Sequence, residues 1–317
     1  MKKDNHKMNR PKIGVIGLGG QSAFLSADHF PAPGETISCC GLFFELGGKG
    51  YNQAVACARM GVETVFIGAV GKDDNGRACE NDLLRQGVIP CLIEKEIPTA
   101  YAVIMTDSSG ENTVSVFPGA AKALTPEDLR KDKVISQLKE CTCLLLQNEL
   151  SADCLLEACR IGQEFGIPVI FNPAPAENIP PEMMRCCSWI TPNYGEAKLL
   201  TGFSEQEQPS GCQLATRFAE QGIQNVILTM GSAGALIAED GKLTEVPVFS
   251  FGKPVDTTGA GDTFNGVLTA MLATGKTATE AAAVAAVAAG ISVTRKGAAG
   301  SIPTKAEVEA CCKGESL

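Results

Sequence analysis

Short apolar segments alternate with helical patterns along almost the whole of this 317-residue chain. Each apolar segment has the length of a strand, and a longer segment with helical spacing of apolar residues follows most of them. Strands that alternate with helices run parallel, and the connecting helices cover both faces of their sheet. The pattern therefore predicts an α/β fold of three layers, with a doubly wound and mostly parallel sheet in the middle.

The individual elements can be placed on the sequence. The predicted strands are 12–18, 63–69, 143–147, 167–171, 188–191, 225–230 and 233–238. The predicted helices are 51–60, 75–86, 151–165, 194–200, 211–221, 261–274, 277–290 and 305–312. Because the sequence has no internal repeat and no long linker, it favours a single main domain over residues 1–317.

Two segments break the alternation. Residues 35–46 and 99–117 have the composition of strands, and no helical pattern lies within either segment. In the second segment, the turn sequence at 107–112 lies between two runs rich in β-branched residues, which indicates a hairpin. We predict a small β lid inserted from about 20–46 and 98–118, which would exclude water from a site beneath it. The alternative is an antiparallel edge of the main sheet.

Composition narrows the class of partners. The formal net charge is −9 and basic residues cluster only in the tail MKKDNHKMNR, so we expect neither nucleic acid nor a membrane as a partner. The 14 cysteines include no C-x-x-C pair and the chain has 2 histidines, a pattern typical of buried reduced thiols. With no signal-peptide pattern at the start, the sequence predicts a cytoplasmic protein.

The stretch PKIGVIGLGGQS at 11–22 looks at first like a dinucleotide-binding loop. A Rossmann fingerprint reads G-x-G-x-x-G after a strand. Gly17 and Gly19 match the first two glycines, but Ser22 stands where the third is needed. The fingerprint is incomplete, so a dinucleotide-dependent oxidoreductase is a poor interpretation of this chain.

The stretch VDTTGAGDTFNG at 255–266 carries the clearest chemical signal. The small residues Gly259, Ala260 and Gly261 precede a helical pattern, and their backbone N–H groups can surround an oxyanion at the helix N-terminus. Asp262 follows in the first turn. It can be a carboxylate that satisfies helix N–H groups, or a general base that takes a proton from an attacking hydroxyl. A Walker A loop ends in G-K-[ST], and this stretch has no such ending, so it is not a Walker A loop.

A resemblance to a known family decides between these interpretations. DTTGAGDTFNG at 256–266 resembles the C-terminal signature of the ribokinase-like (PfkB) carbohydrate kinases, and GGKGYNQA at 47–54 resembles their N-terminal signature. Two matches in the right order, far apart in the chain, are much more specific than one. Further matches include FPAPGET at 30–36, NPAPA at 172–176 and VTRKGAAGSIP at 293–303, so the similarity covers nearly the whole chain and is closest to the ribokinases.

The resemblance implies ATP-dependent phosphorylation of a primary hydroxyl on a sugar or sugar-like molecule. It implies that Asp262 is the catalytic base and that the amides of Gly259, Ala260 and Gly261 form the anion hole. The sugar site that it implies consists of Gly48, Lys49, Asn52 and Glu149. From the sequence alone, Lys49 can equally be a solvated surface lysine.

The resemblance also implies the cofactors ATP, Mg²⁺ and K⁺, and a homodimer formed through the lid. Asn193 and Glu196 would organise Mg²⁺ and phosphate through water, although N-x-x-E is also an ordinary helix cap. The implied nucleotide site is completed by Thr229, Gly231, Ser232, Gly234 and Ala286. The implied ligands of the monovalent cation are Asp256, Thr258, Ser292, Arg295, Gly297 and Ser301, with Arg295 acting through its carbonyl.

The chain departs from the family pattern where the acceptor should bind. The resemblance predicts an Asn and an Asp after the first strand, and this chain has Gly20 and Ser22 there. A carboxylate forms stronger hydrogen bonds to hydroxyls than a neutral group does, so recognition of ribose should be weakened or redirected unless Gln21 or Asp28 compensates. The alternatives are a kinase for a nucleoside or for a modified or deoxy sugar, and a catalytically silent sugar- or nucleotide-sensing protein.

Overall fold

A computed structural model describes residues 10–314 of the chain. The predicted polar tail at residues 1–9 lies outside the described part. The strands are β1 Lys12–Ile16, β2 Gly20–Ser26, β3 Gly41–Gly47, β4 Glu63–Gly71, β5 Val88–Lys95, β6 Ala100–Thr106, β7 Asn112–Phe117, β8 Cys143–Gln147, β9 Val169–Asn172, β10 Trp189–Ile190, β11 Val226–Thr229, β12 Ala235–Glu239 and β13 Lys242–Val246.

The helices lie mostly between the strands. They are α1 Lys49–Arg59, α2 Asp74–Arg85, α3 Gly119–Lys122, α4 Pro126–Leu129, α5 Asp132–Leu138, α6 Ala152–Phe165, α7 Pro181–Cys186, α8 Tyr194–Leu200, α9 Gly211–Glu220, α10 Ala260–Ala273, α11 Ala278–Ser292 and α12 Lys305–Gly314. No helix among residues 10–314 is long and apolar enough to cross a bilayer.

The main sheet has nine strands in the order β13-β12-β11-β10-β9-β8-β1-β4-β5. All neighbours are parallel except β11–β12 and β12–β13, which are antiparallel. The carboxyl ends of the central strands therefore meet at one edge of the sheet, which is where ligands bind in open α/β folds.

The main sheet is buried on both faces. In β1, Ile13 and Val15 pack into one apolar cluster with α1, α2, α10, α11 and α12, whereas Ile16 packs into a second cluster with α3 to α9. Strand β1 thus contributes alternate side chains to two cores, as expected for a central strand of a sheet between two helical layers. The predicted three-layer α/β fold is confirmed.

A second, smaller sheet has the order β3-β2-β6-β7. The β2–β3 and β6–β7 pairs are antiparallel and β2–β6 is parallel. These strands form a sheet of their own, so the alternative of an antiparallel edge to the main sheet is wrong. We call these four strands the small sheet.

The predicted strands and helices are present in the described residues, with ends within two residues of the prediction. The predicted hairpin turn is also present, between β6 and β7. The prediction of strand over 35–40 is wrong, because β2 ends at Ser26 opposite Gly41 and leaves those residues without a pairing partner. The strands β2, β5 and β13 had no individual prediction.

Candidate active site

A cavity of about 200 Å³ lies at the carboxyl edge of the main sheet, where α1 and α10 begin. It brings together seven of the predicted site residues, namely Lys49, Asn193, Glu196, Thr229, Gly259, Gly261 and Asp262. Four residues without a predicted role also line it: Asn172, Ala174, Thr191 and Asn265. Residues from both signature segments therefore meet in one cavity.

Asp262 lies in the first turn of α10 and is 7 % exposed. Gly259 precedes the helix with a φ of 73°, and an ideal Cβ on it would lie 3.0 Å from the Cα of Ala298, so a glycine fits both the conformation and the space. The carboxylate of Asp262 accepts one hydrogen bond on each oxygen. Asn52 Nδ2 donates to Oδ2 at 2.9 Å, and Gln53 Nε2 donates to Oδ1 at 2.9 Å.

Hydrogen bonds among buried amide side chains determine that Gln53 donates to Asp262 Oδ1 through its Nε2. Asn172 donates through Nδ2 to the Thr191 carbonyl at 3.0 Å, so its Oδ1 must face Gln53 as an acceptor at 3.1 Å. Gln53 must then present Nε2 to both Asn172 and Asp262, and its Oε1 accepts from Gln147 Nε2 at 2.7 Å. Sequence reasoning missed Gln53, although it stands inside the signature at 47–54.

Asn52 has an unused hydrogen-bonding atom beside the carboxylate. Its Oδ1 is buried and has no partner among the described residues. An ideal Cβ on Gly47 would lie 3.8 Å from this oxygen and 3.5 Å from the Ser22 hydroxyl oxygen, so both atoms border the space next to Gly47. A buried acceptor without a partner is costly, and a ligand hydroxyl at this place would satisfy it.

Two titratable residues, Lys49 and Glu149, lie at the N-terminus of α1. Burial alone lowers the pKa of Lys49, but the carboxylates of Asp262, Glu149 and Glu196 outweigh it and the pKa is above its ordinary value. Burial raises the pKa of Glu149 to about 7, and Asp262 adds to the rise, while Lys49 opposes it. Glu149 Oε2 accepts from the Lys49 backbone N–H at 2.9 Å. The alternative of a solvated surface lysine therefore does not describe Lys49.

Asn193 and Glu196 form the capping box of α8. Asn193 Oδ1 accepts from the Glu196 N–H at 2.8 Å, and Glu196 Oε2 accepts from the Asn193 N–H at 2.8 Å. Burial raises the pKa of Glu196 above its ordinary value. Glu196 Oε1 accepts no hydrogen bond among the described residues, and Glu196 is one of the residues that line the cavity. In residues 10–314 no three His, Cys, Asp or Glu side chains cluster around a metal position. The site therefore fits Mg²⁺ held through water and phosphate oxygens better than an all-protein cage.

The remaining predicted nucleotide residues lie outside this cavity. Gly231 and Ser232 form a short 3₁₀ turn after β11, at the carboxyl edge of the sheet. Gly234 has a φ of 82°, and an ideal Cβ on it would lie 2.2 Å from the Val246 carbonyl oxygen, so the backbone there requires glycine. Ala286 packs against the core from α11.

The predicted cation ligands lie around the loop that follows α11. Asp256 accepts from the N–H groups of Thr258 at 2.9 Å and Gly297 at 3.0 Å. The hydroxyls of Ser292 and Ser301 donate to carbonyls in their own turns. The Arg295 guanidinium pairs with Glu307 at 2.6 Å, so its side chain turns towards α12. Cation binding itself stays a prediction.

Positions 20 and 22, where this chain departs from the family pattern, lie in strand β2 of the small sheet. An ideal Cβ on Gly20 would lie 2.2 Å from the Ala100 carbonyl oxygen, so the backbone of β2 leaves no space for an Asn there. Ser22 is 9 % exposed. Gln21 donates to the Glu45 carbonyl at 3.3 Å, and Asp28 is exposed beyond the end of β2. Neither Gln21 nor Asp28 replaces the expected carboxylate.

Comparisons with known proteins agree with this geometry. Residues 23–305 match the model of the pfkB family of carbohydrate kinases. Ribokinase from Haemophilus influenzae is 35% identical over 300 residues, covering 94% of this chain and 97% of the relative. Deoxyribokinase from Salmonella typhimurium is 32% identical over 295 residues, covering 92% of this chain and 95% of the relative.

A solved structure extends the comparison to the fold. The structure of Arabidopsis thaliana ribokinase complexed with ribose and ATP superposes with a TM-score of 0.86 at 28% sequence identity. The match covers 96% of this chain and 99% of that one. The similarity therefore extends over the entire α/β architecture as well as the small sheet.

Proposed function

The chain belongs to the pfkB family of carbohydrate kinases, and on this premise we propose that it transfers the γ-phosphoryl group of ATP to a primary hydroxyl of a sugar, with Asp262 as the base. One observation carries the assignment of the base. Asp262 is buried at the N-terminus of α10, with each carboxylate oxygen oriented by an amide and the helix amides beside it. This combines a proton acceptor with donors for developing phosphoryl charge.

In the proposed reaction, the acceptor hydroxyl donates its hydrogen bond to Asp262, and a second hydroxyl of the sugar donates to the free Oδ1 of Asn52. Asp262 takes the hydroxyl proton as the oxygen attacks the γ-phosphorus in line, and the bond from that phosphorus to the β-phosphate oxygen breaks. The N–H groups at Gly259, Ala260 and Gly261 stabilise the charge on the transferred group. Lys49, whose pKa is above its ordinary value, stays protonated and offsets part of the negative charge of Asp262, Glu149 and Glu196.

The proposed cofactors are ATP with Mg²⁺, and K⁺. When bound, Mg²⁺ neutralises phosphate charge during transfer. Glu196, with its free Oε1, and Asn193 would hold it through water. The carbonyls around Asp256 and Gly297 would take a potassium ion, since potassium prefers several carbonyl oxygens. We place Thr229, Gly231, Ser232, Gly234 and Ala286 at the nucleotide.

The proposed acceptor is a pentose. Named relatives include a ribokinase and a deoxyribokinase, and the neutral positions 20 and 22 favour a sugar that does not need a carboxylate to hold a vicinal diol. The test is ATP turnover with D-ribose, 2-deoxy-D-ribose and adenosine. The proposal predicts that a free pentose stimulates ADP release. No stimulation by any compound, together with a rise in melting temperature on ligand addition, would instead support a sensing protein.

We also propose that the small sheet is the lid of the site and forms a homodimer. It is a part of the single domain predicted from the sequence, and it carries Ser22 over the acceptor space. Its exposed apolar residues are Leu42, Phe43, Phe44, Val103, Val114, Val116 and Phe117. A concentration of exposed apolar side chains on one small element favours burial against a second copy.

A further inference from the structure

Glu45 of β3 joins the small sheet to the loop at 297–301. Its Oε1 accepts from the Gly300 N–H at 2.7 Å, and its Oε2 accepts from the Ala298 N–H at 3.2 Å. An ideal Cβ on Gly297 would lie 3.0 Å from the same carboxylate, so the loop passes directly against it. Each oxygen of the carboxylate thus holds one backbone donor, and charged acceptors make stronger hydrogen bonds than neutral ones.

The loop that Glu45 holds lies directly behind the anion hole. The Cα of Ala298 packs against Gly259, the residue that precedes α10. The Gly297 N–H donates to Asp256, whose other oxygen accepts from Thr258 at the start of the same glycine-rich turn. One short loop is therefore fixed on one side by the small sheet and on the other by the anion hole.

Glu45 also lies directly opposite Ser22 in the antiparallel pairing of β2 and β3. Directly opposite residues have Cβ atoms about 5 Å apart on the same face, and like charges in such pairs are destabilising. Ser22 is where the family resemblance leads one to expect an Asp. A carboxylate at 22 would face the carboxylate of Glu45.

We propose that Glu45 is a positioning residue that fastens the small sheet to the loop behind the anion hole, and that it makes a neutral residue necessary at position 22. The role rests on the proposed function, because it matters to catalysis only if the reaction occurs between Ser22 and Asp262. The Glu45 carboxylate thereby keeps the small sheet over the acceptor and holds the anion-hole turn in place.

The first test uses Glu45→Gln, which keeps the shape but places an NH₂ donor opposite a backbone N–H. Hydrogen exchange of the unliganded protein should become about tenfold faster in the peptide that covers 297–301. The matched control is Glu111→Gln, an exposed acid in the small-sheet hairpin, which should leave that exchange unchanged. Unchanged exchange in Glu45→Gln would overturn the contact, whether or not the protein proves to be a pentose kinase.

Kinetics then decide the functional role. With the pentose that gives the highest turnover, Glu45→Gln should raise the KM for the sugar about tenfold and also lower kcat, because both the small sheet and the anion-hole turn lose a fixed contact, and it should leave the KM for ATP nearly unchanged. Faster exchange at 297–301 combined with wild-type kinetic constants would refute the positioning role.

The second test is a double-mutant cycle with Ser22→Asp. Ser22→Asp should lower the melting temperature by about 2 °C more in the wild-type background than in the Glu45→Gln background. Only the wild-type background places two carboxylates opposite each other. Equal falls in the two backgrounds would show that Glu45 does not constrain position 22.

Discussion

At the scale of single residues, amide side chains hold the proposed base in place. Asn52 and Gln53 each bind one oxygen of Asp262, and Gln53 is oriented by Asn172 and Gln147. The motif at 255–266 left two roles open for Asp262, and the family resemblance was needed to favour the general base. Neither was enough to predict the role of Gln53, because only the fold brings residue 53 next to residue 262.

We expect Gln53→Met to lower kcat by about 10- to 100-fold, since a hydrogen bond to a charged group contributes about 1.5–3 kcal/mol. The sugar KM should change little, because Gln53 borders Asp262 and not the acceptor space. Steady-state kinetics with the stimulating pentose measure this. Gln163→Met, at an exposed position on α6, is the control. A kcat within twofold of wild type would contradict the positioning of Asp262 by Gln53.

The raised pKa of Glu149 predicts how the free energy of unfolding depends on pH. Its pKa is raised from an ordinary value of 4.5 to about 7, so between these values the unfolded chain binds fewer protons at this group than the folded one. The free energy of unfolding therefore contains a contribution from Glu149 that is lost as pH rises from about 4.5 to 7. In Glu149→Gln this contribution is absent. The melting temperature of the variant minus that of wild type should rise from pH 5 to pH 8, and a flat difference would contradict the raised pKa.

At the scale of elements, the glycines after β1 serve close packing. An ideal Cβ on Gly17 would lie 2.3 Å from Gln147 Oε1 and 2.8 Å from the Cα of Gly50, so the start of α1 approaches the end of β1 more closely than a side chain allows. The same stretch suggested a dinucleotide loop in the sequence. Its glycine at position 17 instead lets the signature-bearing start of α1 approach the end of β1 at the carboxyl edge of the sheet.

Gly20→Ala tests the close approach of β2 to β6. The added Cβ would overlap the Ala100 carbonyl, so we expect a loss of about 1–3 kcal/mol in the free energy of unfolding. Denaturant unfolding measures it. Ser26→Ala, an exposed position at the other end of β2, should stay within about 0.5 kcal/mol of wild type. An unchanged stability in Gly20→Ala would show that β2 and β6 lie further apart.

The elements that had no prediction are those with weak sequence signals. Strand β5 contains Pro90, which argues against a strand, and it is tolerated because β5 is at the edge of the main sheet. Strand β13, KLTEV, is short and largely exposed, also at an edge. Strands in the middle of the sheet were predictable because burial on both faces makes them continuously apolar.

At the scale of the whole molecule, the small sheet leaves large apolar side chains in solvent. Phe44 is 59 % exposed on one face, and Val114 is 54 % exposed on the other. The proposed homodimer buries the exposed apolar residues of one of these faces against a second copy. The sequence predicted extra strands where β3, β6 and β7 lie, although it extended the first of them back to residue 35. Exposure depends on which strands neighbour each other, and periodicity does not reveal that.

If the small sheet forms the dimer, one of the two variants Phe44→Asp and Val114→Asp should weaken association at least about tenfold. The two residues lie on opposite faces, and the variant on the interface face places a charge among apolar side chains. Sedimentation over a range of concentrations measures the dissociation constant. Leu199→Asp is a matched control, since Leu199 is 63 % exposed on α8, away from the small sheet. Association that weakens only in the control, or a wild-type monomer at all concentrations, would refute the proposed dimer.

The central claim is that Asp262 is the base of a sugar kinase, and Asp262→Asn tests it most directly. Asn preserves the size of the side chain but cannot take the hydroxyl proton. Pentose-stimulated ADP release should fall by about 10²- to 10⁴-fold, while ATP binding measured by calorimetry stays near wild type. Turnover within about threefold of wild type, with ATP binding intact, would contradict the claim.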